Sequence, residues 1–204
     1  MPFSKYLLAA IGPLAFITFA YAQPGSSEMH RRGGMAESGM TSDAQRMPFD
    51  HQFLDTMSMH HAHGIQMAEL VKDRAAHEEL KQMAQKMIED QQQDIQKLQS
   101  MKAQWYAGQG DAANRQMRGM RESVQRREKN VDALKAAKGE KFDLLFLDVM
   151  SRHHANGIRM AQHAQSRAAH QEVKDIAKEI SDRQGAEKAE MAKMRKEWSG
   201  GSKS

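Results

Sequence analysis

FLDTMSMHHAHGIQMA, residues 53–68, returns as FLDVMSRHHANGIRMA at residues 146–161, a shift of 93 positions. Both copies keep the methionines Met57/Met150 and Met67/Met160, the pairs His60-His61/His153-His154, and Gly64/Gly157. The same ungapped shift lays RAAH at 74–77 on RAAH at 167–170, Gln91 on Gln184, Met101 on Met194 and Trp105 on Trp198. About 24 of the 57 positions in 49–105 agree with 142–198. An internal repeat of this length is a supersecondary unit used twice, and it decides how the chain is read.

Within each copy the apolar residues recur in three- and four-residue steps, the period of a helix. The spacing predicts a first helix over about 50–72, and Pro48 just ahead of it is tolerated there. A second helix is predicted over about 74–105, with Asp73 as its N-cap and Ser166 in the matching place of the second copy. The connection is so short that each pair must fold back as an antiparallel hairpin. One hairpin buries a single face, whereas two close a four-helix bundle. The expected fold is all-α, two repeated hairpins with a connecting helix over about 111–138 that Asp111 caps and Gly139 ends. Met117, Met120, Val124, Val131 and Leu134 would form its inner face.

The flanks read differently. Lys5, the apolar run 6–20 and Ala20-Tyr21-Ala22 form a secretory signal pattern, cut after Ala22. Residues 23–47 are rich in Gly, Ser and charge without an apolar period, as in a disordered leader. This leader carries Met29, His30, Met35, Met40 and Met47, which could capture soft ions loosely. The bundle is expected over 48–199. Nothing after the signal is apolar enough to span a bilayer, so the expected address is the periplasm or the exterior, with no membrane contact after cleavage.

Composition narrows the function. The 204 residues hold no cysteine, which excludes disulfides and thiolate metal sites. They hold 17 Met and 10 His against 7 Phe, 2 Trp and 3 Tyr, so methionine supplies much of the apolar volume. The formal charge is only +4, and the bases are spread out, which argues against nucleic acid.

The repeated stretch also suggests chemistry. On a helical wheel Met57, His61 and Gly64 share one stripe and His60 lies beside it. Glycine inside a helix costs about 1 kcal/mol against alanine, so its repetition points to a steric purpose. A fold-back at Asp73 would set Met83 and Met87 at the level of Met57, His60 and His61. Thioether with imidazole and no thiolate suits soft ions such as Cu(I) and Ag(I). The second copy keeps Met150, His153 and His154 but carries Ile176 and Ile180 for Met83 and Met87, so the first hairpin is expected to bind more tightly. The competing reading makes the histidines structural, satisfied by Gln91/Gln184 and Asp94/Glu187, with methionine as core filler. His77 and His170, in first helical turns, suit capping or packing. His51, His63 and His163 have no counterpart in the other copy and are weaker candidates.

These HH-x-x-G-I-x-M-A segments, each followed by an inward Gln and then Trp, resemble the secreted bacterial domain of unknown function 305 over residues 48–198. The resemblance implies a ferritin-like four-helix bundle. It also implies, as for some members, a periplasmic copper- or silver-binding resistance protein. The family pattern falls on Met57, His60, His61, Met67 and Gln91, and on Met150, His153, His154, Met160 and Gln184. The second copy departs at Ile176, Ile180 and Lys188.

Three functions compete. The first is a copper or silver binding protein that buffers metal, with metal ions as its partners and no catalysis. The second is a metal-free envelope stress or scaffold protein. The third is a ferritin-like di-metal oxidase, which needs Glu three residues before a histidine. Met57 and Met150 stand there instead, and no hydrolase motif is present.

Overall fold

Four long helices carry the architecture, and each copy of the repeat supplies two of them. The computed structural model describes residues 43–200. The signal pattern and nearly all of the Met/His leader lie outside these residues. In chain order the helices are α1 Phe49–Ala68, the single turn α2 Val71–Arg74, α3 Glu78–Trp105, α4 Met120–Ala136, α5 Glu140–Arg167 and α6 Gln171–Gly200. Helix α1 packs along α3, α5 packs along α6, and α1 meets α5 where the hairpins join. Among the described residues there is no strand, and no helix is long and apolar enough to cross a membrane.

The hairpins lock together through their helix starts. The first N–H groups of a helix lack intrahelical acceptors. Neither Asp73 nor Ser166 supplies one, contrary to the sequence expectation. Helix α3 begins only after His77, and the caps come from the opposite hairpin. Asp143, buried at the start of α5, accepts from the N–H groups of Ala76 (3.1 Å) and His77 (3.0 Å), and its Oδ2 lies 2.6 Å from His77 Nδ1. Asp50 does the same for the N–H groups of Ala169 and His170, both at 2.9 Å, with His170 Nδ1 at 2.7 Å. A carboxylate at a helix N-terminus also meets the positive end of its dipole. Each capped imidazole then stacks on a tryptophan: His77 on Trp198 at 3.9 Å and His170 on Trp105 at 4.1 Å between ring centroids. His77 and His170 thus pack as expected, each between a tryptophan and a carboxylate of the other repeat, while the carboxylates do the capping.

Two apolar clusters fill the bundle. One holds Phe53, Leu54, Met57, Leu98, Met160, Ile176 and Ile180, and the other holds Val71, Leu80, Met83, Met87, Phe146, Leu147 and Met150. Both draw on both repeats, so neither hairpin encloses its own core. A fragment of residues 48–107 is therefore expected to lack a cooperative unfolding transition. A sigmoidal urea transition for the monomeric fragment would contradict this.

The linker departs from expectation. Residues 106–119 are not helical, because α1 takes their backbone donors: Ala112 N–H donates to Asp55 (2.7 Å) and Asn114 N–H to Thr56 Oγ1 (2.9 Å). Asp111 accepts from Ala113 N–H two residues on, a local turn and not a helix cap. Helix α4 starts after Gly119, whose φ of 95° suits glycine. It buries Met120, Val131 and Leu134, with Met117 buried just before it and Val124 partly buried against the core. Gly139 does not end α4, which stops at Ala136; it opens α5, and its N–H donates to Arg74 O at 2.7 Å.

Candidate metal centre

A buried polar layer crosses the bundle where α1 meets α5, and the repeated HH pairs build it. His60 and His153 stack face to face with ring centroids 3.8 Å apart. His60 Nε2 lies 3.2 Å from the His153 carbonyl oxygen, the bond of a donating ring N–H. The glycines make this approach possible. A Cβ on Gly64 would come within 3.0 Å of His153 Cε1 and 2.4 Å of Gln91 Oε1, and one on Gly157 within 2.9 Å of His60 Cε1 and 2.3 Å of Gln184 Oε1. The steric purpose inferred from sequence is thus the entry of the other repeat's imidazole, together with a glutamine from the glycine's own hairpin.

The second histidine of each pair faces its own hairpin. His61 Nε2 lies 2.8 Å from Asp94 Oδ2, and His154 Nε2 lies 2.6 Å from Glu187 Oε2. Arg183 also bonds Asp94, from the other repeat. Burial alone would push the Asp94 carboxyl up, but the hydrogen bond from His61 and the charge and bond of Arg183 hold it below the usual range. Burial lowers His61, with Asp94 opposing. The pair is therefore carboxylate plus neutral imidazole, with the proton on Nε2 and the Nδ1 lone pair left over. Nδ1 of His61 and of His154 is buried without a protein partner. Asp94 and Glu187 are thus the histidine partners foreseen as one alternative. Gln91 and Gln184 are not, since their buried amides have no hydrogen-bond partner in the protein.

The stacked imidazoles are more strongly perturbed. His60 is held well below 6.5 by burial first and then by His153 and its other histidine neighbours. His153 is held there by burial and then by His154 and His61. His63, outside the stack, is lowered to about 4 by burial, Arg127 and Arg115. His60, His61, His63 and His153 are therefore neutral at pH 7 and keep lone pairs that a proton does not occupy.

Thioethers lie on both sides of this layer, in an arrangement the sequence did not reveal. His61 stands opposite Asp94, and Gly64 beside Gln91. The fold-back therefore falls near His77 and not at Asp73, since α2 and residues 75–77 lengthen the connection. Met83 and Met87 are consequently not at the level of Met57. They pack with Met67, Met150 and Met191, whereas Met57 packs with Met117, Met120, Met160, Ile176 and Ile180. The expectation that the first hairpin alone gathers Met57, Met83 and Met87 is corrected: each thioether cluster combines both repeats. Met117, Met120 and Met191 join the candidate donors. Asp50 and Asp143, the helix caps, were also missed, though their recurrence at the 93-residue shift could have flagged them. His51 is buried in a stack on Tyr106 at 4.5 Å, and His163 packs edge-on against Phe49 at 5.3 Å, both away from this layer.

Among the described residues no three His, Cys, Asp or Glu side chains converge as a metal-holding group. The donor types gathered around this layer are imidazole and thioether, a set that suits soft ions better than Mg, Ca or Mn. A groove of about 650 Å³ between α3 and α6, lined in part by Met83, Asp90, Arg183, Glu187 and Met194, opens this side of the bundle to solvent.

Solved structures share the fold. A DUF305 protein from Streptomyces coelicolor matches with a TM-score of 0.65 and 24% identity, over 74% of this chain and 92% of that one. CopM in its Cu(II)-bound form matches with a TM-score of 0.61 and 28% identity, over 74% of this chain and 99% of that one. CopM in its Cu(I)-bound form gives the same TM-score and identity over 73% and 96%. CopM has also been solved with silver. No curated protein matches the chain. The profile of the domain of unknown function DUF305 matches residues 20–102 and 50–195, well over half of the sequence, and the chain belongs to that family.

Proposed function

We propose that this is an exported soft-metal binding protein of the periplasm, which holds Cu(I) or Ag(I) for buffering or tolerance and performs no turnover. The observation that carries the reading is the state of His61 and His154. Each donates one ring nitrogen to a carboxylate and keeps the other buried and unpartnered. Metal-ligating histidines are oriented in this manner, since the carboxylate fixes the tautomer and raises the basicity of the free nitrogen. Two methionine clusters flank the layer and supply the soft donors. The likeness to CopM, solved with copper and with silver, supports the same ion class. A binding role also fits the absence of the Glu-x-x-His pattern that a di-metal oxidase needs.

The test is a competition titration of the mature protein with Cu(I) against a chromogenic chelator. Tight uptake is expected, and Asp94→Asn should weaken it roughly 10- to 100-fold, the usual effect of losing a carboxylate behind a ligating histidine. Failure of the wild-type protein to compete for Cu(I) would favour the metal-free scaffold.

A further inference from the structure

The two repeats differ where their inner histidines meet a carboxylate. His61 Nε2 donates to Asp94 Oδ2 at 2.8 Å and His154 Nε2 to Glu187 Oε2 at 2.6 Å, and each ring keeps a buried Nδ1 without a protein partner. Behind His61, the same Asp94 Oδ2 also accepts from Arg183 of the other repeat. Glu187 forms no ion pair with a lysine or arginine among the described residues. The 93-residue shift places Asp90 in the first repeat where the second has Arg183. Asp90 accepts from Lys86 at 2.8 Å and lines the groove between α3 and α6 together with Glu187. Where the first pair has a guanidinium, the second has a carboxylate at the matching place.

A carboxylate strengthens a ligating imidazole through the negative charge it holds behind the ring. Arg183 offsets that charge for His61, and its own positive charge opposes a cation at the free nitrogen. The charge of Glu187 stands without such a partner. Burial by itself would favour His61, since the Asp94 side chain is 1% exposed and that of Glu187 14%, and charges act more strongly away from water. We propose that Arg183 ranks the two histidine sites, so that the first soft cation goes to His154 and the second to His61. This order is the reverse of the one expected from the methionines of the first hairpin. The proposal rests on the soft-metal reading above and adds the order of filling and the residue that sets it. The loss expected for Asp94→Asn then falls on the second ion. Glu187→Gln should weaken the first to a similar degree, roughly 10- to 100-fold.

The probe is Ag(I), titrated at neutral pH into the full mature chain while ring nitrogens are followed by ¹H–¹⁵N NMR. In wild type the His154 resonances should move during the first equivalent and those of His61 only after it. Arg183→Gln removes the charge at a side chain that is 28% exposed, with circular dichroism as the control for the fold. In that variant His61 should fill first, as burial dictates. Arg183→Lys keeps the charge but not the guanidinium shape, and it should keep the wild-type order, which a packing role alone would not preserve. Wild-type filling of His61 before or together with His154 overturns the ranking, as does an unchanged order in Arg183→Gln. Either result leaves the soft-metal reading standing. A titration that moves neither histidine overturns both.

Discussion

Replacing Asp143 by alanine is expected to remove roughly 1–3 kcal/mol of stability, the cost of losing a helix cap and its charge-assisted hydrogen bonds. The carboxylate is fully buried and accepts from two backbone N–H groups and the His77 ring, all on the other hairpin. Without it the start of α3 loses its acceptors, and His77 keeps only its stack on Trp198. A domain of this size holds about 5–15 kcal/mol in total, so the loss is a sizeable fraction of it. Asp50→Ala should cost a similar amount, because Asp50 makes the equivalent bonds to Ala169 and His170. The two changes together should cost roughly twice as much as either alone. Asp143→Asn retains one acceptor oxygen and should lose less. Urea unfolding at pH 7 measures all of these, and a loss below about 1 kcal/mol for Asp143→Ala would refute the cross-hairpin cap.

The second large effect is on pH. His60 is fully buried and His153 nearly so, and both are held well below the ordinary 6.5, mainly by burial. In the unfolded chain they return to about 6.5. Below that pH the unfolded state takes up protons that the folded state refuses, so stability is present above 6.5 and is lost as pH falls. Each such histidine contributes up to about 1.4 kcal/mol per pH unit. The pair alone should therefore lower stability by up to about 3 kcal/mol between pH 6.5 and 5. His60→Asn should reduce the slope by up to about 1.4 kcal/mol per unit, since it removes one of the two titrating rings. Stability that is flat from pH 7 to 5 would show that the stack is solvated or protonated in the folded state.

The repeat made much of this architecture readable. Met57, Gly64 and Met67 fall at helical spacing in both copies, so two hairpins and their buried faces followed from periodicity alone. Gly64 and Gly157 announced a close approach, and the approach is there. The failures share one origin, because periodicity fixes a helix's faces but not how two helices slide past each other. Asp73 resembles an N-cap locally, yet the α3 cap comes from Asp143, 66 residues from His77. That shift of the fold-back moved Met83 and Met87 from Met57 to Met150. Arg183 on Asp94 was illegible for the same reason, as it reaches across from the other repeat and its copy-one counterpart is Asp90. The irregular stretch 106–119 depends on Asp55 and Thr56 of α1, and no local signal reveals such acceptors.

The central claim is that histidine nitrogen and methionine sulfur of this bundle together hold a soft ion. X-ray absorption at the copper edge, on mature protein loaded with one equivalent of Cu(I), tests it most directly. The account predicts a low-coordinate Cu(I) shell containing both sulfur and imidazole scatterers, with sulfur lost stepwise as Met67, Met83, Met87 and Met150 are replaced by leucine. A shell of nitrogen and oxygen alone, unchanged by those replacements, would contradict it.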